Sequence, residues 1–190
     1  MLRQCVLFKQ TIIEHTHQKN TPIHMKLKSI LHYFFKSKPE SPVNTLPQQD
    51  VRLDKYLGRW YEQARYENWF ESGLDEVFTD YSTGPGGSIN VLNCGKNHRG
   101  FQSTSKGRGY PAGRGRLNVS FVPPYGWFRA PYHILYVDPD YQSALVSGEN
   151  ASYLWLLTRE KTPQESLLST LIGEAEKRGF NTSELRFTRQ

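Results

Sequence analysis

Cysteine and methionine are both scarce in this chain, which has two of each among its 190 residues. The cysteines, Cys5 and Cys94, are too few for the disulfide framework that holds small cysteine-rich domains together, and we expect two free thiols. Long apolar runs are also missing, since none approaches the roughly 18 residues that a membrane-spanning helix needs. The length and the 37% apolar content instead indicate one globular domain with a tail.

The sequence also lacks the motifs that mark common catalytic and metal sites. It contains no G-x-S-x-G elbow, no H-E-x-x-H pair and no C-x-x-C pair, which removes the usual signals for a nucleophilic serine and for zinc. Asp138 and Asp140 fall in an expected turn, where we interpret them as turn formers. We therefore predict a protein that is not an enzyme and that uses neither a metal nor a cofactor.

The first 50 residues differ from the remainder in charge and in pattern. They carry seven Lys or Arg against three Asp or Glu, and they show no sustained alternation of apolar and polar residues. The stretch "KSKPESPVNTLPQQ" is typical of a proline-rich polar linker. We predict a poorly structured basic segment over residues 1–50 and a folded domain over residues 51–190.

Aromatic residues and turn signals point to an all-β domain. The chain has 11 Tyr, 10 Phe and 4 Trp beside 15 Gly and 11 Pro, a composition that favours strands and tight turns. About eight sequential strands with short links predict an antiparallel up-and-down barrel, which can hold one small ligand. The strand-like runs are residues 59–66, 76–82, 88–97, 101–110, 116–122, 132–138, 143–147 and 152–159.

One helix is predicted after the strands. Thr162 is a suitable N-cap, Pro163 suits the first helical position, and Glu165 would complete a capping box. An apolar stripe at helical spacing follows, and Gly179 can end the helix. We expect this helix to lie on the barrel wall and a short final strand near residues 185–188 to pair at the barrel's edge.

Alternation along the strands selects the residues that would face the barrel interior, because successive side chains of a strand point to opposite faces. Such an apolar and aromatic lumen suits an acyl chain or another elongated apolar molecule. Periodicity alone leaves open whether the side chains fill the barrel or line a cavity. The predicted inward residues include Trp60, Glu62, Ala64, Tyr66, Val77, Thr79, Tyr81, Val91, Asn93, Tyr153 and Trp155.

Three segments of the predicted domain resemble the conserved blocks of the lipocalin family. "LGRWYEQAR" contains Gly58 and Trp60, which match the G-x-W signature of the family. "YVDPDYQSALVSG" resembles the second block through Asp138 and Tyr141, and "YLWLLTREKTP" resembles the third through Arg159. The blocks occur in the family's order, and the resemblance covers residues 51–190. Within the family, the chain is similar to bacterial outer-membrane lipoproteins of the Blc type and to apolipoprotein D.

The resemblance implies an eight-stranded calyx that binds and stores or transports small hydrophobic ligands. Fatty acids and lysophospholipids are the implied ligands, with a role in cell-envelope lipid maintenance. In the relatives, the positions matching Tyr81, Asn93 and Trp155 line the cavity. We predict ligand contacts there and, from alternation, at Ala64, Tyr66, Val77, Thr79, Val91 and Tyr153.

The family also implies a structural role for its signature residues. Arg159 is expected to pack across Trp60 at the closed end of the barrel, as a cation–π contact. Gly58, Asp138 and Tyr141 complete this structural set. A lipid or other hydrophobic molecule is thus the expected partner, while membrane-surface association and a homodimer are left open. The resemblance suggests the outer membrane or periplasm, although no convincing signal peptide or lipid-modified cysteine is visible.

The sequence leaves two other functions open, an enzymatic one and an RNA-binding one. A lipocalin-fold enzyme acting on a lipid or isoprenoid would need a reactive cysteine or an acid pair in the lumen. Glu62 is the one inward acid that alternation identifies, and Cys94 is expected to face outward beside Asn93. Alternatively, the Arg-Gly segment Lys106 to Arg116 could bind RNA through charge and stacking. Because no recognisable nucleic-acid module accompanies it, we expect no nucleic-acid partner.

Overall fold

The computed structural model of the protein describes residues 42–48, 50–121 and 129–190. The strands of this part of the chain are β1 (Gly58–Tyr66), β2 (Leu74–Thr83), β3 (Ile89–Asn97), β4 (Gln102–Pro111), β5 (Arg116–Phe121), β6 (Arg129–Val137), β7 (Ser143–Ser147), β8 (Leu154–Thr158) and β9 (Leu185–Phe187). The helices are α1 (Leu53–Tyr56) and α2 (Glu165–Lys177), with 3₁₀ turns at Pro85–Gly87 and Thr182–Glu184.

The first eight strands form a closed antiparallel barrel. Each strand pairs with the next along the chain, and β1 pairs with both β2 and β8, which closes the ring. The predicted eight-stranded up-and-down barrel with a C-terminal helix is therefore confirmed. Closure removes the free sheet edges that would otherwise be open to pairing with other chains.

The barrel has two apolar clusters, one inside it and one outside. The inner cluster brings Trp60, Tyr81 and Val146 together with residues of other strands, so it lies inside the barrel. The outer cluster joins wall residues such as Leu145 to Leu171 of α2. The helix thus covers the outside of β7 and β8, as its apolar stripe predicts.

Helix α2 begins later than its sequence predicts. Its N-cap is Gln164, which makes no side-chain capping bond, so the predicted cap at Thr162 is wrong. The C-terminal end agrees with the prediction: Gly179 has φ +86° and donates its N–H to the Glu176 carbonyl at 2.9 Å. None of the helices in the described ranges is long and apolar enough to cross a membrane.

A C-terminal segment fills the seam where β1 and β2 separate. β1 pairs with β2 only from Gly58 to Tyr61. Farther along, β9 takes the vacated edge of β1, where the final strand is predicted. The Thr188 N–H then donates to the Gln63 carbonyl at 2.9 Å, and the Glu76 N–H donates to the carbonyl of Arg189 at 2.7 Å.

Residues 42–48 also pack on the barrel. The Asn44 N–H donates to the Arg178 carbonyl at 2.8 Å, and the Gln48 N–H donates to the Ile134 carbonyl at 2.9 Å. The Gln48 side chain in turn accepts the Val137 N–H at 2.8 Å. This part of the predicted linker therefore contacts both β6 and the end of α2.

Candidate functional site

A β-bulge in β1 decides which of its residues face the lumen. Between Glu62 and Ala64 the register against β8 shifts by one residue, which reverses the face of the following side chains. Ala64 and Tyr66 consequently belong to the outer cluster with α2, so their predicted inward placement is wrong. Arg65 is fully buried and pairs in register with Trp155 of β8.

The other predicted ligand contacts lie on β2, β3 and β8. Tyr81 and Val91 are cross-strand partners within the inner cluster, against which Trp155 packs. Thr79 and Asn93 form the next inward pair, with the Thr79 hydroxyl donating to Asn93 Oδ1 at 2.9 Å.

Two predicted contacts lie nearer the ends of these strands. Val77 is buried, and a Cβ at Gly95 on the neighbouring strand would contact its Cγ2 at 3.1 Å. Tyr153 precedes β8 and stacks on Trp155 with ring centroids 5.6 Å apart. Together with the two cross-strand pairs, they form one continuous side of the barrel.

The closed end is built around Trp60, which is fully buried. Its indole N–H donates to the Tyr56 carbonyl at 2.8 Å, and the guanidinium carbon of Arg159 lies 3.9 Å from the ring centroid. Arg159 also donates to the carbonyl oxygens of Lys55, Leu57 and Arg59, each at 2.8 Å. Trp60 and Arg159 thus hold α1 against the base of the barrel.

The remaining signature residues shape the backbone near this base. Gly58 has φ +97°, and a Cβ there would lie 3.2 Å from Arg159 Nη1, so a glycine suits the position on both counts. The Asp138 carboxylate accepts N–H groups of Gln142 and Ser143 in the β6–β7 turn. The Tyr141 hydroxyl accepts the Arg52 N–H at 2.8 Å, which ties this turn to the start of α1.

The hydroxyl groups of Tyr56, Tyr81 and Tyr132 form a polar cluster near Trp60. The Tyr132 hydroxyl lies 2.8 Å from the hydroxyls of both Tyr56 and Tyr81. Burial raises the pKa of each of the three hydroxyls. They therefore stay neutral and satisfy one another inside the apolar lumen.

A charged cluster lies farther toward the open end. Arg65 forms an ion pair with Glu62, which is 2% exposed and also accepts the Thr188 hydroxyl. Arg65 donates as well to the Glu71 carbonyl at 2.7 Å, while its Nε has no partner among the described residues. The Glu71 carboxylate, on a residue that is 8% exposed, accepts the Trp155 indole N–H at 3.0 Å.

Burial sets the protonation of the two acids in this cluster. It raises the pKa of Glu62, against the opposing effect of Arg65. Burial, reinforced by the charge of Glu62, raises the pKa of Glu71 to about 7. Glu71 therefore changes its charge near neutral pH, next to an aromatic side chain of the lumen.

The loop between β1 and β2 brings Glu71 into the lumen. The Asn68 side chain organises this loop, since its Oδ1 accepts the Glu71 N–H at 2.9 Å and its amide donates to the Glu71 carboxylate. Phe70 contacts both Tyr153 and Trp155, with centroid distances of 5.8 and 6.5 Å. The loop thus folds over the open end of the barrel.

Several residues of the lumen are missing from the sequence prediction. The inward position of Tyr132 is predictable from the sequence, because alternation along β6 places it on the same face as Ile134. The inward position of Arg65 is not predictable in this way, because nothing in the local sequence pattern indicates the bulge that turns it inward. Glu71 lies in a loop without periodicity, so its burial depends on contacts that only the folded chain makes.

The acid pair that an enzymatic alternative requires is present, but Arg65 and Thr188 engage Glu62, while Trp155 engages Glu71. Cys94 is buried and lies 3.9 Å from the Thr104 hydroxyl, on the strand face opposite Asn93. Across the described ranges, no group of His, Cys, Asp and Glu could hold a metal ion.

Comparison with known proteins agrees with this architecture. The lipocalin-like domain family matches residues 51–190. The outer membrane lipoprotein Blc of Escherichia coli K12 is 35% identical over 158 residues, which cover 81% of this chain and 88% of that protein. Apolipoprotein D of Cavia porcellus is 29% identical over 148 residues, covering 71% of this chain and 73% of that protein. These similarities confirm the resemblance drawn from the three sequence blocks.

Solved structures share the fold at lower sequence identity. Apocrustacyanin C2 aligns with a TM-score of 0.65 at 18% identity, covering 80% of this chain and 90% of that one. At this identity the likeness shows the fold alone.

Proposed function

Because the chain belongs to the lipocalin family, whose members generally bind small hydrophobic ligands and are not enzymes, we propose that it stores or carries lipids with a single acyl chain. Fatty acids and lysophospholipids are the proposed ligands. The relatives named as outer membrane lipoproteins support a role in the maintenance of cell-envelope lipids.

The lining of the lumen is the observation that carries this proposal. One continuous side of the barrel presents Tyr81, Val91 and Trp155 inward, and Trp155 stays partly exposed near the mouth. An acyl chain entering there would be held mainly by burial of apolar surface, worth about 25 cal/mol per Å². Val77, Thr79 and Tyr153 extend the proposed contact surface, whereas Ala64 and Tyr66 are left out of it.

The polar groups along the same side suit a ligand head. Asn93 is half-buried, and its Oδ1 accepts the hydroxyl of Thr79. We propose that Asn93 and Tyr81 contact the polar end of a chain that lies deep in the barrel. A ligand whose head stays at the mouth would instead meet Glu71 and Trp155.

The experiment is a titration of the purified protein with a fluorescent fatty acid and with a fluorescent lysophospholipid. We expect saturable binding, and Trp155→Ala should weaken it about tenfold or more, because truncating a large apolar contact removes roughly 1.5–3 kcal/mol of burial.

Tyr61→Ala is the matched control, because Tyr61 pairs with Phe78 on the outer face of β1 and β2. This variant should bind like the unmodified protein. If the unmodified protein shows no saturable binding of either probe, the lipid-carrier function is wrong.

A further inference from the structure

The barrel divides into a basic side and an acidic side. Residues 81–137 contain seven Lys or Arg and no Asp or Glu. The rest of residues 51–190 holds ten Lys or Arg against fifteen Asp or Glu. Because β3 to β6 are consecutive in both sequence and sheet, this separation along the chain becomes a separation in space.

The cations of this side project from the outer surface of the barrel. Leu117 and Val119 of β5 belong to the inner cluster, so the residues between and beside them face outward. Arg108, Ser120 and Arg129 are in register across β4, β5 and β6 and form one outward row. We define the basic wall as the exposed residues Lys106, Arg108, Arg114, Arg116 and Arg129.

The charges of the basic wall are not neutralised locally. Elsewhere on the barrel, several basic side chains form ion pairs, among them Arg59 with Asp80 at 2.7 Å and Arg186 with Asp75 at 3.1 Å. No ion pair within the described ranges includes a residue of the basic wall. Unpaired charges of one sign on one face produce a field that attracts an anionic surface.

Exposed aromatic side chains lie at the open end of the barrel, next to the start of β4, the strand that carries Lys106 and Arg108. Phe101 precedes β4 and is 67% exposed, beside Arg99 in the same turn. The register of Leu74 with Asn97 places the loop before β2 next to this turn, and that loop carries Phe70, which is 40% exposed. Cations next to exposed aromatics are the combination that suits the boundary between lipid headgroups and acyl chains.

We propose that the basic wall and the adjoining open end dock the protein on an anionic lipid bilayer. This inference rests on the proposed lipid-carrier function, because a bilayer that contacts the open end lies at the mouth of the lumen, through which a ligand would enter. Lysine and arginine near the surface are attracted to anionic headgroups, and salt screens that attraction.

A polynucleotide fits the same surface less well. Proteins that bind single strands combine basic grooves with aromatic platforms on which bases stack. Tyr110 lies on the outer face of β4 among the cations of the basic wall. The guanidinium carbon of Arg129 lies 4.9 Å from the centroid of its ring, so this face of the ring is already occupied. Phe101 lies at the end of the barrel rather than along the row of cations.

The test is sedimentation of the full chain with vesicles of phosphatidylcholine alone or mixed with phosphatidylglycerol. We expect binding to the mixed vesicles that falls as salt rises, and little binding to phosphatidylcholine. The variant Arg108→Glu, Arg116→Glu, Arg129→Glu should lose at least tenfold in affinity. The control Arg52→Glu, Lys177→Glu, Arg189→Glu makes the same charge change outside the basic wall and should keep most of the binding.

Three outcomes would overturn docking: equal binding to both vesicle types, equal losses in the two variants, or tighter binding to a mixed-sequence single-stranded RNA at the same salt.

Titration of both variants with the soluble fluorescent lipid separates docking from ligand binding. We expect unchanged lipid affinity in each, which also shows that the barrel is folded. Vesicle binding without any lipid binding would support docking while contradicting the lipid-carrier function.

Discussion

The buried ion pair of Arg65 and Glu62 shows how a polar group is accommodated in an apolar lumen. Burying two charges costs free energy, and the attraction between them offsets that cost only when further hydrogen bonds are made. Thr188 supplies one such bond to Glu62, and the Glu71 carbonyl supplies another to Arg65. The cluster therefore joins β1, the β1–β2 loop and the C-terminal segment at one point.

Glu71 should make the binding of an anionic lipid depend on pH. Its pKa is raised to about 7 by burial and by Glu62, so it gains a negative charge as the pH rises through that value. The head of a fatty acid is already anionic there, and the two charges repel inside the lumen, more strongly for a head at the mouth than for one held deep at Asn93. We expect fatty-acid affinity to fall about three- to tenfold between pH 6 and pH 8, and affinity for a neutral monoacylglycerol to stay constant.

Glu71→Gln removes the titrating charge and should flatten this pH profile. Glu149→Gln is the control, because Glu149 is exposed in a loop at the same end of the barrel. A fatty-acid profile that is unchanged in Glu71→Gln would refute the role of Glu71.

The raised pKa of Glu71 also affects stability. It means that the folded state binds the proton of Glu71 more tightly than the unfolded state does, so the contribution of Glu71 to stability falls as pH rises between about 4.5 and about 7.

Helix α2 and strand β1 depend on each other through the outer cluster. The bulge after Glu62 lets one strand supply Trp60 to the lumen and Ala64 to the surface beneath α2. An uninterrupted strand could not do this, because strict alternation would send Trp60 and Ala64 to the same face.

Leu171→Ala should destabilise the protein by about 2–5 kcal/mol, because Leu171 is fully buried between α2 and the wall and its truncation leaves a cavity. Leu46→Ala makes the same chemical change at a side chain that is 64% exposed and should have little effect. Urea denaturation of both variants measures the difference. A Leu171→Ala cost no larger than that of Leu46→Ala would show that α2 does not stabilise the barrel.

At the scale of the whole molecule, residues upstream of the predicted boundary at residue 50 also contact the barrel. Thr45 contributes contacts besides those of Asn44 and Gln48: its hydroxyl donates to the Glu149 carbonyl at 3.0 Å, and its own carbonyl lies 3.0 Å from Nδ1 of His133. Residues 42–48 therefore join the end of α2 to β6 and to the β7–β8 loop.

Two truncations should separate this segment from the residues before it. A chain starting at residue 42 keeps the described contacts, and we expect it to match the full chain in stability and lipid binding. A chain starting at residue 51 loses at least four hydrogen bonds, at roughly 0.5–1.5 kcal/mol each, and should be about 2–4 kcal/mol less stable. Thermal denaturation of both tests this, and equal melting temperatures would place the boundary at residue 50 after all.

The sequence predicts the barrel well because its signals are local. Alternation and turn residues locate each strand, and the pairing of Tyr81 with Val91 follows from consecutive antiparallel strands. The failures come from interactions that are not local. The bulge that turns Ala64 outward, and the folding of Glu71 into the lumen, depend on β8 and on the β1–β2 loop, which no periodicity reveals.

The shared strand β1 also has a consequence for synthesis on the ribosome. One edge of β1 pairs with β8, which is synthesised much later: Thr158, the partner of Tyr61, lies about a hundred positions farther along the chain. Contacts of such long separation form slowly, because the connecting chain must first be brought together. During elongation that edge of β1 therefore has no partner, and the nascent chain is most open to mispairing in the interval before β8 emerges.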